Sequence, residues 1–413
     1  MNTSPRDPFA ALRVAGFRNF QLSRFLLTFA VQMAETIVAW KVYEITRDKL
    51  SLGLIGLSEA LPFIVTTLYG GLAADTFNRY KIGRATILAI TLCFVAIGFF
   101  MSGTAPMIGT YGVWPVYVAI GFSGVARGFM GPAYQSILPQ LLPRPLYANG
   151  ATWGSNTWQT AAVVGPAFGG FVYGYTNVEI SFAVAIALML ASFVVFLSVP
   201  VQETPPRSRS ESLYESLTAG LRFVFNKKEM LGAISLDLFA VLFGGAVALL
   251  PVFASDILHS DARGLGLLRG APFFGSLVMG LFLAFRPPVK RAGRNLFVAV
   301  TGFGLATIGF ALSTNFALSF FMLFLTGAFD SISVVIRGTI MQLMTPDDMR
   351  GRVSSVNQIF ISSSNEIGAF ESGLAAKLMG TVPSVIFGGC MTLIVVATVY
   401  LMVPVMRHLQ LEE

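Results

Sequence analysis

Histidine, cysteine and charge are all scarce in this chain, and each scarcity closes off a kind of chemistry. Among 413 residues there are two histidines, His259 and His408, and two cysteines, Cys93 and Cys390. Two histidines standing far apart cannot supply a histidine metal site or a histidine proton relay. The cysteines are single, with no CxxC or zinc spacing. No G-x-x-x-x-G-K-[ST] segment occurs, so no phosphate-cradling loop of an ATP-driven pump is present. No nucleophile and base stand at a spacing that assembles a catalytic pair. An enzyme is therefore not expected, and neither a metal nor a cofactor is called for.

Only 12% of residues are charged, against roughly 25% in soluble domains, while 54% are hydrophobic and the mean hydropathy is +0.71. This is the composition of an all-α integral membrane protein. A span needs about 20 apolar residues, and the chain offers twelve candidates: 20–45, 51–75, 84–103, 114–138, 148–174, 180–200, 229–254, 264–285, 294–313, 316–342, 354–379 and 383–406. The first sixteen residues carry Arg6, Asp7 and Arg13 and lack the apolar core of a cleavable signal.

Cations set the expected orientation. Arg13, Arg18, Arg79, Lys81, Arg84, Lys227, Lys228, Arg286, Arg291, Arg294, Arg350 and Arg407 fall on one side of this topology, and only Arg47, Lys49, Arg263 and Lys377 on the other. The positive-inside rule then places both termini in the cytoplasm, with the chain in the cell's inner (plasma) membrane. Topology accounts for the net charge of +7, so a nucleic-acid partner is not needed to explain it.

Three regions follow. Residues 1–200 form an N-terminal six-helix bundle, 201–228 a cytoplasmic connector, and 229–413 a C-terminal six-helix bundle. The connector opens with QETPPRSRSES and continues with Leu213, Leu217, Leu221 and Val224 at helical spacing, with Ser212 and Glu215 placed for a capping box. The spacing predicts a short amphipathic helix on the cytoplasmic surface. The two bundles repeat each other: Gly165/Gly368, Gly170/Gly373 and Pro143/Pro346 are each 203 positions apart, and Gly56/Gly266 and Pro62/Pro272 each 210. Parallel six-helix repeats are the arrangement that lets two halves rock around a midplane site.

The loop GGLAADTFNRYK, residues 70–81, joins spans 2 and 3 and combines Gly71, Asp75, Arg79 and Lys81. Glycines allow close helix contact, and a carboxylate is stabilised at a helix N-terminus. The segment resembles the signature loop between helices 2 and 3 of the major facilitator superfamily. WKVYEITRDKLSLGLIGLSEALPF, RGFMGPA in span 4, VVGPAFGG in span 5 and PDDMRGRVSS before span 11 extend the likeness over most of the chain. Together they resemble the enterobactin-exporter and macrolide-efflux branch.

That resemblance implies a twelve-helix transporter of two pseudo-symmetric bundles, monomeric, whose spans 1, 4, 7 and 10 line a central cavity. It implies that Asp75, Arg79 and Lys81 form a cytoplasmic gate, with Thr76 in place of the usual arginine. Gly165, Pro166, Gly169 and Gly170 match the end of a motif common in antiporters. Ala161 stands where the motif's first glycine is usual. These small residues are expected to seal a contact against span 8, or simply to pack helices.

Ionisable groups inside spans cost about 2.5–3.5 kcal/mol each on insertion scales, so they face the protein interior and mark function by default. The candidates are Glu35 in span 1, Arg127 in span 4, Asp237 in span 7, Asp330 and Arg337 in span 10, and Glu366 and Glu371 in span 11. Arg24 and Lys41 stand near helix ends, where they can snorkel. Arg127 and Asp330 are 203 positions apart and are expected to meet across the pseudo-twofold axis, as a structural salt bridge or as a pair opened by substrate or proton. Glu35 is the leading proton-coupling carboxylate. Glu59 and Arg269, near the outer ends of spans 2 and 8, are candidates for an outer gate. In span 11, Asn357, Ser364 and Glu371 share a stripe that serves either as hydrogen-bond glue or as ligand contact.

These readings converge on a secondary transporter for a small molecule, exporting an amphiphilic, drug-like or siderophore-like compound in exchange for protons. An uptake or lipid-translocating carrier of the same fold is one alternative; a non-transporting membrane receptor or scaffold is another.

Overall fold

A computed structural model describes residues 7–102, 110–201, 213–244, 246–286, 291–346 and 349–410. Thirteen long helices occur among them, and no strand. The N-terminal six are α1 (Ala15–Thr46), α2 (Lys49–Thr76), α3 (Arg79–Met101), α4 (Trp114–Leu141), α5 (Tyr147–Tyr175) and α6 (Val178–Leu197). The connector helix is α7 (Leu213–Asn226). The C-terminal six are α8 (Lys228–Phe243), α9 (Ala262–Phe285), α10 (Ala292–Leu312), α11 (Phe316–Met344), α12 (Arg350–Met379) and α13 (Thr381–Met402). All twelve expected spans are present as helices, in the expected order.

Nine spans among the described residues are long and apolar enough to cross a membrane on hydropathy alone. Helices α4, α5 and α12 are just as long but carry more polar side chains. Arg127 stands in the first, Asn156 and Gln159 in the second, and Asn357, Ser364, Glu366 and Glu371 in the third.

Local chemistry fixes the helix starts. Asn78 accepts from the backbone N–H groups of Tyr80 and Lys81 to cap α3, Asn177 from Ile180 to cap α6, Asp261 from Arg263 and Gly264 to cap α9, and Asn315 from Leu318 to cap α11. Prolines stand inside α2, α4, α5 and α9. Membrane helices tolerate them because neighbouring helices and hydroxyls support the backbone around the missing N–H. Thr66 is one such hydroxyl, donating back to Pro62 O at 2.7 Å.

The seventh span is not one continuous helix. It ends at Gly244 and resumes with a 3-10 turn at Ala246–Leu249, one α turn and a π segment at Phe253–Ile257. A π segment inside a span often marks a working part of the helix.

Contacts divide the chain into two compact units, Met1–Val38 with Leu61–Ser208, and Ala39–Ala60 with Arg209–Glu413. In the first, α3 packs chiefly on α4 and α6. In the second, α11 packs on α9 and α10, and α10 on α13, around a core that includes Met230, Leu236, Leu296, Ile336 and Ile340. Pro272 of α9 meets Gly327 of α11 so closely that any side chain at 327 would collide with its carbonyl.

The amphipathic connector helix is present as α7 and rests on α12. Gly220 lies against the backbone of Arg352, and Val224 is fully buried, while Leu221 and Phe225 are exposed. Ser212 of the expected capping box lies outside the described residues.

Candidate functional site

Among the described residues, an ion pair stands inside the spans of each unit. In the N-terminal half Arg127 Nη1 donates to Glu35 Oε1 at 2.8 Å, with 33% of the arginine and 25% of the glutamate side chain exposed. Helices α1 and α4 are antiparallel, and Glu35 stands eleven residues before the end of α1 while Arg127 stands thirteen after the start of α4. The two charges therefore lie at matching depth. Asp330, the partner expected for Arg127, belongs to the other unit; within its own unit Arg127 pairs with Glu35, a nearby counter-charge for a desolvated guanidinium.

In the C-terminal half Arg337 Nη1 donates to Asp237 Oδ2, linking α11 to α8. This pair is almost wholly buried, at 6% and 7% exposed. Asp330 stands two turns before Arg337 on the same face of α11, with Ser333 between them. Asp237, Asp330 and Ser333 line a small cavity closed by Ala240 and Val241 of α8 and by Ala299, Val300 and Phe303 of α10. Two carboxylates thus share one guanidinium, and the buried Arg337 Nε and Ser333 Oγ have no hydrogen-bond partner.

By role, then, the counterpart of Arg127 is Arg337, and that of Glu35 is Asp237. The dipeptide RG occurs at both arginines, 210 positions apart, the offset shared by spans 2 and 8. Asp330 lies seven residues earlier, a whole two turns, and so on the same face of α11.

The loop between α2 and α3 is built as a carbonyl clamp. Arg79 donates from Nε to Ala74 O at 2.9 Å and from Nη1 to Ser136 O at 3.5 Å, tying the end of α2 to α4. Lys81 is exposed, and the side chain of Asp75 lies outside the described residues. Gly70 makes the close helix contact, its α-carbon facing the Gly128 carbonyl of α4, whereas Gly71 borders open space.

The span-5 motif residues Gly165, Pro166, Gly169 and Gly170 are all buried. A Cβ at Gly165 would sit 2.9 Å from Phe29 O, and one at Gly169 2.7 Å from Met33 O. The nearest neighbours of Gly165 and Gly169 belong to α1 of the same unit. The cause is local: without side chains these two turns of α5 let the α1 backbone in.

In the second unit, the α1–α2 hairpin carries a cluster that the sequence reading missed. Tyr43 Oη donates to Asp256 Oδ2 at 2.5 Å, Arg47 reaches Asp256 at 3.5 Å and Ser255 Oγ at 3.1 Å, and Lys377 pairs with Asp48 at 3.6 Å. Arg263 pairs with Asp261, whose carboxyl it holds below the usual carboxylate range. The outer cations Arg47, Lys377 and Arg263 are thus each matched to an acid. The available signal was that Asp48 and Asp261 stand within two residues of Arg47 and Arg263.

Gly53 packs on Gly373 and on the Ala369 and Phe370 carbonyls of α12, and the place of a Cβ at Gly56 lies 3.4 Å from Glu366 Oε2. Glu366 therefore stands at the α2–α12 contact. Glu59 and Arg269 are half-buried, as is Glu371, while Ser364 is buried and donates to Ile361 O at 2.9 Å. The buried Oδ1 of Asn357 has no partner.

Comparison with known proteins agrees with this architecture. The family described as transmembrane secretion effector matches residues 6–412. The chain is 25% identical to the enterobactin exporter EntS of Escherichia coli (strain K12) over 397 residues, covering 95% of this chain and 92% of that protein. The enterobactin exporter EntS of Citrobacter koseri is 25% identical over 378 residues, with 90% and 88% covered. Among solved structures, a bacterial homolog of the human lysosomal transporter Spinster, inward-facing and unoccupied, superposes with TM-score 0.71 at 16% identity, covering 95% of this chain and 97% of that one. A POT family transporter in complex with 5-aminolevulinic acid gives 0.75 at 11% identity, with 95% and 96% covered. At these identities the solved structures speak for the fold.

Proposed function

The chain belongs to the transmembrane secretion effector family of major facilitator transporters, and from that premise we propose that it is a proton-driven exporter of a small amphiphilic, siderophore-like or drug-like compound. Relatives named enterobactin exporters support a siderophore-like cargo. Residues 1–200 and 229–413 are the two halves that rock, joined by 201–228, with both termini in the cytoplasm.

The observation that carries the coupling is the Glu35–Arg127 pair. It bridges two helices inside the membrane and is still a quarter to a third exposed, and in this reading the exposed part faces the central cavity, where protons reach it. Protonating Glu35 removes its charge and releases Arg127, and a pair in that setting opens at modest cost because solvent has already screened it. Cargo and proton then compete for one site, which is the requirement of exchange. A potential of 100 mV contributes about 2.3 kcal/mol per charge moved.

The buried Asp237–Arg337 pair holds span 7 to span 10, with Asp330 as the second carboxylate of that half. Arg79 and Lys81, with Asp75, gate the cytoplasmic side; Glu59 and Arg269 gate the outer side.

Reconstitution tests the reading. Purified protein in proteoliposomes is challenged with siderophores, macrolides and lipophilic dyes while proton movement is followed, wild type beside Glu35→Gln and Arg127→Ala. A compound that moves protons in wild type and not in the variants supports exchange and names the cargo class. Cargo flux that is indifferent to the proton gradient overturns the coupling.

A further inference from the structure

We propose that Arg24, Gln21 and Tyr134 form a recognition site for an oxyanion, carboxylate or phenolate, carried by the cargo. The proposal rests on the export reading and adds the chemistry of what is recognised.

Arg24 lies within a membrane-spanning helix, half-buried, and among the described residues no carboxylate pairs with it. Gln21, one turn earlier on the same face of α1, is 3% exposed, yet both its amide nitrogen and its amide oxygen lack hydrogen-bond partners. The hydroxyl of Tyr134, on α4, is buried and also unpartnered.

The side chains of α1 converge. A Cβ at Gly154 of α5 would lie 3.2 Å from Gln21 Nε2 and 3.4 Å from Arg24 Nη1. Both groups therefore converge beside the bare α-carbon of Gly154, where a side chain would crowd them. The frame around the point is rigid. Tyr134 is stacked on Phe196 with ring centroids 5.8 Å apart and meets Phe20 edge-on at 5.2 Å, while Ser23 is tied to Ser192 O at 2.9 Å, which sets the rotation of α1.

The chemistry of the set selects the ligand. Guanidinium and amide NH2 donors meet at one place, a buried phenol O–H on α4 is without a partner, and among the described residues no carboxylate answers the positive charge. A buried amide without partners is destabilising, and so is an intramembrane arginine without a counter-ion. An oxyanion satisfies both at once through paired charge-assisted hydrogen bonds.

The test uses the full chain in a neutral detergent, with benzoate and its neutral isostere benzamide as probes and tryptophan fluorescence as readout, since Trp153 adjoins Gly154. Wild type is expected to bind benzoate at least tenfold more tightly than benzamide. Arg24→Gln should remove that preference, Arg24→Lys should keep part of it, and Lys41→Gln, far along α1, should leave it unchanged. Gln21→Leu should unfold at the same or a higher temperature, having lost an unsatisfied amide, and still bind benzoate more weakly; a purely structural glutamine would not do both.

Equal binding of the two probes, or benzoate binding that survives Arg24→Gln, overturns the proposal. So does displacement of benzoate in phosphatidylglycerol nanodiscs but not in phosphatidylcholine ones, which would assign Arg24 to an anionic lipid. Benzoate bound with no cargo transported in proteoliposomes would instead overturn export and leave the site standing.

Discussion

The N-terminal and C-terminal halves solve one problem in two ways. Each sets an acid on its first helix against an arginine on its fourth, Glu35 with Arg127 and Asp237 with Arg337. The first pair is a quarter to a third exposed and the second is 6% and 7% exposed. An ion pair still in touch with water can be broken by a proton, because solvent takes over whichever charge is released. Breaking a buried pair costs more, since removing one partner strands the other in a dry interior. In the proposed reading, the more exposed pair is the movable one and the buried pair the fixed one.

The fixed pair should therefore give the largest stability effect. Arg337→Ala leaves two carboxylates beside one cavity with no cation, and is expected to cost about 3–5 kcal/mol, read as a fall in unfolding temperature of the purified protein. Arg127→Ala should cost roughly 1 kcal/mol and yet abolish cargo-evoked proton movement. Equal losses of stability would erase the distinction between the halves.

A second contrast lies within one turn of α2. Gly70→Val drives a side chain into the Gly128 carbonyl and should destabilise by about 1–3 kcal/mol, while Gly71→Val, bordering open space, should stay within about 0.5 kcal/mol. Thermal unfolding of the two variants decides whether the signature loop owes its first or its second glycine to packing.

The hairpin cluster should respond less. Tyr43→Phe removes one hydrogen bond to Asp256 but leaves Arg47 beside it, for about 0.5–1.5 kcal/mol. The smallest effect belongs to Asp261. Its folded pKa is depressed, so its contribution is fully present above the unfolded value near pH 4 and is lost as pH falls through the lower, folded one. Asp261→Asn keeps the α9 cap and should shift unfolding by only about a few tenths of a kcal/mol at neutral pH. A large change there would mean that Arg263 does more than support a helix cap.

The fold was legible because hydropathy writes spans directly into sequence: all twelve expected spans, and the connector helix, correspond to helices. Charged residues inside spans were equally visible, since each is an exception to the apolar rule. Their pairing was not. Repeat offset matched Arg127 to Asp330, whereas the partners found within each unit are Glu35 for Arg127 and Asp237 for Arg337. Helical periodicity repeats every few residues, so an offset fixes a face more firmly than a position. Tyr43 and Asp256, 213 positions apart, come together only through the tertiary fold.

The division of tasks between the halves can be tested most directly by comparing Glu35→Gln with Asp237→Asn in proteoliposomes, with cargo-evoked proton movement normalised to folded protein. Glu35→Gln should fold well and move no protons with cargo; Asp237→Asn should lose folded protein, while the molecules that remain still exchange protons for cargo. The opposite pattern, coupling retained in Glu35→Gln and abolished in well-folded Asp237→Asn, would contradict it and move the proton site to the C-terminal half.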